Sequence, residues 1–162
     1  MIIEVYGNPA PQGSKRNFGK TKLGRTIMVE ASDKVTPWRA DVMTAARRAI
    51  EEHKQLYQLA TWEPFSTAVA ARMVFSFARP PSVKRHKRPF PSVAPDVSKL
   101  ARSTEDALQA AGVLRDDCLI VDYTRLGKVY CGEDPEALEV PGALVILFPL
   151  VDSLPIGDTP GR

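Results

Sequence analysis

Cysteine, histidine and long apolar runs are scarce in this chain, and each scarcity closes a route. With only Cys118 and Cys131 in 162 residues, a disulfide framework has nothing to build on, and a reducing cytoplasm is the expected compartment. The two thiols flank a strand-like segment at a spacing that suits no zinc knuckle, so they read as idle or buried groups. The two histidines, His53 and His86, stand at unrelated positions, which argues against a His-ligated metal or a His-based nucleophile. The longest apolar stretch runs from Val140 to Val151 and is broken by Pro141, Gly142 and Pro149. It falls short of the ~20 residues that a membrane span requires. The opening MIIEVYGNPAPQG has neither a cationic leader nor a small-residue cleavage site, so a signal peptide is not expected. No internal repeat or low-complexity tract is visible.

What is present is an ordinary globular composition with an uneven distribution of charge. Apolar residues make up 44% and charged residues 25%, enough for one domain with a real core. Residues 11–25 carry five basic residues (Lys15, Arg16, Lys20, Lys22, Arg25) and no acid. Residues 79–102 carry seven (Arg79, Lys84, Arg85, Lys87, Arg88, Lys99, Arg102) against the single acid Asp96. Removing both segments leaves ten basic against eighteen acidic residues. Two cationic segments therefore sit on an acidic body, the arrangement a polyanion such as nucleic acid selects. Either run alone reads equally well as a solvated loop.

The hydrophobic pattern predicts the order β–β–α–β–α–β–β, an α/β or α+β domain with one mixed sheet and two main helices on one face. Ile2 to Gly7 reads as a strand, residues 8–24 as a wide excursion, and Arg25 to Ala31 as a second strand. Thr36 is the expected N-cap and Pro37 the first residue of a helix to about Lys54. Its core stripe is Val42, Ala45, Ala46, Ala49 and Ile50, with Arg39, Arg47 and Arg48 outside. Thr67 to Phe77 is the strongest strand, and Arg79 to Ala94, with four prolines, a mobile loop. A second helix runs from Asp96 to about Ala111 and stops at Gly112. Val97, Leu100, Ala101, Thr104, Ala107, Leu108 and Ala111 fall within roughly 120° of arc on it, with Asp96, Lys99, Arg102, Ser103 and Asp106 opposite. Cys118 to Tyr130 and Leu144 to Leu150 complete the strands. The domain is expected over residues 1–151 and a tail over 152–162.

Within this frame the carboxylates carry the chemistry. Asp96 is the only acid in its basic region, and Asp116 and Asp117 are adjacent. Alone, the first reads as a helix cap and the pair as a turn. Their context is more specific. Pro95-Asp96, Leu100, Asp106-Ala107-Leu108, Gly112-Val113, Asp116-Asp117 and Lys128 together resemble the RusA-type Holliday junction resolvases, whose pattern runs Pro-Asp-x-Asp-Asn-Leu-x-Lys, Asp-Ala-Leu, Gly-Val-x-x-Asp-Asp and a strand ending in lysine. The opening Gly7-x-Pro9-x-Pro11-x-Gly13 with Ser14-Lys15-Arg16 is similar to that family's first strand and loop.

The resemblance implies a Mg²⁺-dependent endodeoxyribonuclease acting as a homodimer on four-way branched DNA, nicking two strands symmetrically. It implies Asp96 and Asp117, with Asp116, as catalytic and metal-holding carboxylates. Mg²⁺ commonly takes one or two protein carboxylates and keeps several waters. Ser98 stands where the pattern has its second aspartate, Lys99 where it has asparagine, and Arg102 where it has the helper lysine. A guanidinium keeps the charge but cannot deprotonate, so Arg102 is expected to clamp or neutralise phosphate. Lys15, Arg16, Lys84, Arg85, Lys87, Arg88 and Lys99 are the expected backbone contacts to DNA. Phe90 is a weak candidate wedge, whereas Trp38 and Trp62 read as core. Ser98 keeps open a second reading, a non-catalytic branched-DNA-binding protein of the same fold. A third is a regulatory dimer whose basic loops bind an acidic protein.

A helix from Val97 to Ala111 is about 22 Å long at 1.5 Å per residue, and Gly112 to Arg115 returns at most about 14 Å. Asp96 and Asp117 then meet across a two-fold axis, unless the helix starts as late as Leu100 or the turn folds back sharply, in which case one chain holds both.

Overall fold

The computed structural model describes residues 1–13, 15–20, 26–30 and 33–150, of which 15–20 and 26–30 as backbone. The chain runs β1 (Ile2–Tyr6), β2 (Lys15–Lys20), β3 (Thr26–Glu30), α1 (Val35–Leu56), β4 (Val69–Phe77), α2 (Val97–Ala110), a 3₁₀ turn (Asp117–Leu119), β5 (Ile120–Tyr130) and β6 (Gly142–Pro149). One mixed sheet has the order β1-β6-β4-β5. β6 is antiparallel to both β1 and β4, and β4 and β5 are parallel. The architecture is α+β, as expected. The expected tail at 152–162 lies outside the described residues, as do Lys22 and Arg25.

Alternation fixes which face is buried. Ile3 and Val5 of β1, Ala143, Val145 and Leu147 of β6, and Ala71, Met73 and Phe75 of β4 form one apolar cluster with Trp38, Val42, Ala46 and Ile50 of α1 and Leu100, Ala107 and Leu108 of α2. Both helices thus cover one face of the sheet. On the other face Arg72 of β4 and Arg125 of β5 share Glu136, and Arg125 also grips Asp134 at 2.6 Å. The segment after β5 is held across the buried Ser76, whose hydroxyl accepts from the Leu138 amide at 2.8 Å.

Several expectations are corrected. Residues 8–24 are not one excursion, because Lys15–Lys20 is a strand paired antiparallel with β3 in a separate two-stranded sheet. α1 begins at Val35 with Lys34 at the cap position, so Thr36 does not cap and Pro37 is the third helical residue. Proline is tolerated there because first-turn amides have no intrahelical acceptor. Arg39 is not outside; it pairs with Asp106 of α2. Ser103 is fully buried, within hydrogen-bond reach of the Ala10 carbonyl at 2.7 Å. β5 starts at Ile120, with Cys118 and Leu119 in the 3₁₀ turn. Register shifts along β5 leave Val121 exposed, while Ile120, Tyr123 and Leu126 pack on the core. No helix or strand forms over 79–94, but this loop is tied down. Arg79 grips Glu133 through both carboxylate oxygens and donates to the carbonyls of Arg88 and Pro89.

α2 is fastened along its length. The Gln12 amide donates to the Lys99 carbonyl at 2.9 Å, and the Gln12 side chain to Asp106 at 3.0 Å. In the core the Trp38 indole donates to Thr104 at 3.2 Å. The helix ends in a Schellman turn: Val113 N–H bonds the Leu108 carbonyl, Gly112 N–H that of Gln109, and Gly112 sits at φ +80°.

Thr104 and Trp38 are both fully buried. Thr104→Val keeps the shape and orphans the indole N–H, so it is expected to destabilise the protein by about 1–3 kcal/mol. The urea unfolding midpoint, compared with Thr104→Ser, measures it; an unchanged midpoint contradicts this account of the helix tie.

Candidate active site

Asp96 occupies the N-cap position of α2, yet its carboxylate makes no capping hydrogen bond. It is largely exposed, with the Lys99 ammonium at 3.5 Å, a surface pairing that adds little to stability. The carboxylate is therefore free for another ligand. Ser98 and Lys99 are exposed on the same first turn, and Arg102 is exposed on the next.

The aspartate pair divides its labour. Asp116 caps the 3₁₀ turn, accepting from the Cys118 amide at 3.0 Å. The Cys118 thiol and then its N–H hold the Asp116 carboxyl below its ordinary range. The same contact, followed by burial, pushes the exposed Cys118 thiol up. Asp116 is thus engaged in its own turn, which leaves Asp117, half-buried, as the freer acid. Beside it stands a residue that the sequence reading missed, Glu105 on the third turn of α2. Tyr123 of β5 donates its hydroxyl to Glu105. Burial first, then the negative charges of Asp117 and Asp106, push the Glu105 carboxyl up to about 7, with Arg102 opposing. No motif marked Glu105; its helix position, one residue before Asp106, was the only available signal.

Within one chain Asp96 sits at the head of α2, and Asp117 stands beside Glu105, nine residues further along, about 14 Å of helix axis. β5 also separates the two. At one end Lys128 donates to the Pro95 carbonyl, next to Asp96, at 2.7 Å. At the other, Ile120 follows the turn that holds Asp117. Eight residue steps along the strand, about 26 Å, separate Ile120 from Lys128. α2 starts at Val97, so the late start does not occur, whereas the turn does fold back along the helix, with the Gln109 side chain donating to the Arg115 carbonyl at 3.4 Å. Among the described residues no group of three or more His, Cys, Asp or Glu is placed to hold a metal ion.

The cations fall into two sets. Lys84, Arg85 and Lys87 are exposed on the 79–95 loop, Arg85 with Glu133 at 3.4 Å, and Arg88 is half-buried beneath them. Lys15 and Arg16 open β2, three and four residues beyond Gln12, which is tied to α2; their side chains lie outside the described residues. Trp62 packs against the core and Trp38 lies inside it, while Phe90 is exposed. His53 packs between Tyr57 and Trp62, and His86 is exposed on the loop. No described helix is long and apolar enough to cross a membrane.

The family model described as Endodeoxyribonuclease RusA matches residues 7–140 of the 162. No curated protein matches the chain.

Glu105 generates a pH prediction. Its folded pKa lies above the unfolded value, so the folded state holds a proton that the unfolded chain has released. Stability then falls as pH rises from about 4.5 to about 7 and stays reduced above that. Glu105→Gln is expected to raise the melting temperature at pH 8 and to leave it unchanged at pH 4. Equal melting temperatures at pH 8 would show that Glu105 is not crowded.

Proposed function

Because the chain belongs to the RusA endodeoxyribonuclease family, we propose that it cleaves four-way branched DNA as a Mg²⁺-dependent homodimer, placing paired, symmetric nicks. The observation that carries this reading is the uncommitted Asp96 carboxylate, standing among exposed cations at the head of α2. Asp117 stands beside Glu105 on the third turn of the same helix. One ligand set per chain is too spread out, but a two-fold axis crossing β5 near Thr124 sets Asp96 of each subunit beside Asp117 of the other. β5 is an edge strand with α2 against it, so this side of the protomer is open to a partner. The two free thiols suit a cytoplasmic setting.

The donor set fits a hard cation. Carboxylate oxygens from Asp96 and Asp117 are what Mg²⁺ takes while keeping most of its waters, and the mutual repulsion of Asp117 and Glu105 is the kind that a cation relieves. Bound there, the ion supplies charge neutralisation at the scissile phosphate and a more acidic water. Arg102 holds a fixed positive charge against the phosphate as negative charge builds up. Its guanidinium carries no proton in the reaction. Lys15, Arg16, Lys84, Arg85, Lys87, Arg88 and Lys99 grip backbone phosphates without reading sequence.

Wild-type protein with Mg²⁺ is expected to cut a four-way junction and to leave the matched duplex intact. Asp117→Asn is expected to slow cleavage by about a hundredfold or more while holding the junction at least as tightly, since it removes a negative charge facing phosphate. Ser98 favours the second reading, a branched-DNA binder without cleavage; binding with no cut at any divalent-metal concentration would establish it. Near-normal cleavage by Asp117→Asn would remove Asp117 from the site.

A further inference from the structure

Lys128 lies on β5 opposite Phe75 of β4 and so turns toward the helix-covered face. Most lysines carry their ammonium out to water. Here it donates to the carbonyl of Val93 at 2.7 Å and to that of Pro95 at 2.7 Å. These two carbonyls close the proline-rich loop, and the Pro95 carbonyl belongs to the peptide that leads into Asp96. No strand or helix braces residues 93–95, so this stretch depends on side chains to fix its path. The other end of the loop has a separate anchor, Arg79, which grips Glu133 and the carbonyls of Arg88 and Pro89. One loop thus has two clamps with different cargo. Arg79 sets the cationic stretch around 84–88, and Lys128 sets the entry to Asp96.

We propose that Lys128 is a positioning residue for cleavage: its ammonium, held by the rigid β4–β5 pair, fixes the Val93–Pro95 backbone and thereby the place of the Asp96 carboxylate. This rests on the reading of Asp96 as a residue of the cleavage site. The chemistry requires a multi-donor cation at this spot. A methionine fills the same space but leaves two carbonyls without their charged donor, whereas arginine still presents N–H groups to them. A displacement of about 1 Å at a reacting group is enough to cost about a hundredfold in rate.

The test is single-turnover cleavage of a four-way junction by full-length Lys128→Met, Lys128→Arg and Asp96→Asn, with junction affinity measured alongside. Lys128→Met is expected to cleave about a hundredfold more slowly at saturating protein with affinity within about twofold of wild type, and Lys128→Arg to recover at least part of the rate. Amide chemical-shift changes in Lys128→Met should concentrate at Ala94, Asp96 and Val97. Arg79→Met is expected to weaken junction affinity instead. If Asp96→Asn is inactive and Lys128→Met cleaves at the wild-type rate, the positioning role is wrong while the site reading stands. If Asp96→Asn cleaves normally, the site reading itself fails. A Lys128→Met protein that loses affinity and rate in step makes Lys128 a DNA contact or a general loop anchor, which also overturns the proposal. Should Lys128→Met not fold, Lys128→Arg decides by the same shifts and rate: it must keep Asp96 in place and cleave measurably.

Discussion

The rigidity of α2 is the constraint from which the functional account follows. A regular helix of 14 residues cannot shorten, and this one is held at its first turns by Gln12 and Ser103, at its middle by Trp38 and Arg39, and at its end by a glycine-terminated Schellman turn. Asp96 at its head and Glu105, the acid beside Asp117, therefore stay nine residues apart, about 14 Å along the axis. On the proposed reading, a reaction that needs both Asp96 and Asp117 draws them from two chains, and the proposed homodimer then serves the chemistry. The same symmetry answers a substrate with two equivalent strands to cut.

Charge pairing decides which cations are committed to the fold. Arg39, Arg72, Arg79 and Arg125 are all committed to acids within the fold. They knit the helices together, cover the back of the sheet and anchor the long loop. Lys84, Arg85 and Lys87 on that loop, with Lys99 and Arg102 on α2, are left exposed. Acids thus hold the structural arginines, while the loop cations Lys84, Arg85 and Lys87 and, beside Asp96, Lys99 stay exposed. Lys128 stands between the two groups, since its charge is spent on carbonyls rather than on an acid or on solvent.

Strongly periodic segments were legible in the sequence. β1, β4 and α2 carry alternation or a helical stripe, and their limits agree with the structure to within two residues. β2 was not legible, because Lys-Arg-Asn-Phe-Gly-Lys has no alternation and its strand exists only through pairing with β3. The start of α1 was misplaced because Thr-Pro imitates a cap, whereas burial of Val35 draws the helix two residues earlier. Arg39 and Ser103 were put on the wrong side because a wheel for one helix does not know that a second helix and the 8–13 loop lie against it. Asp96 and Asp117 were legible through the motif they share. Glu105 and the exact work of Asp116 and Lys128 were not, since each depends on a partner distant in sequence or on a local turn: Tyr123, the Cys118 turn, and the Val93 and Pro95 carbonyls.

The shared site is tested most directly by a covalent link. Asp96→Cys and Asp117→Cys are introduced into one chain whose own thiols are removed by Cys118→Ser and Cys131→Ser, and the protein is oxidised and run without reductant. A disulfide requires Cα atoms within about 7 Å, so it forms only between residues that truly face each other. The account predicts a disulfide-linked dimer, and each single-cysteine chain staying a monomer on the gel. A disulfide closed within one chain, or no link at all in a protein that sedimentation shows to be dimeric, would contradict it.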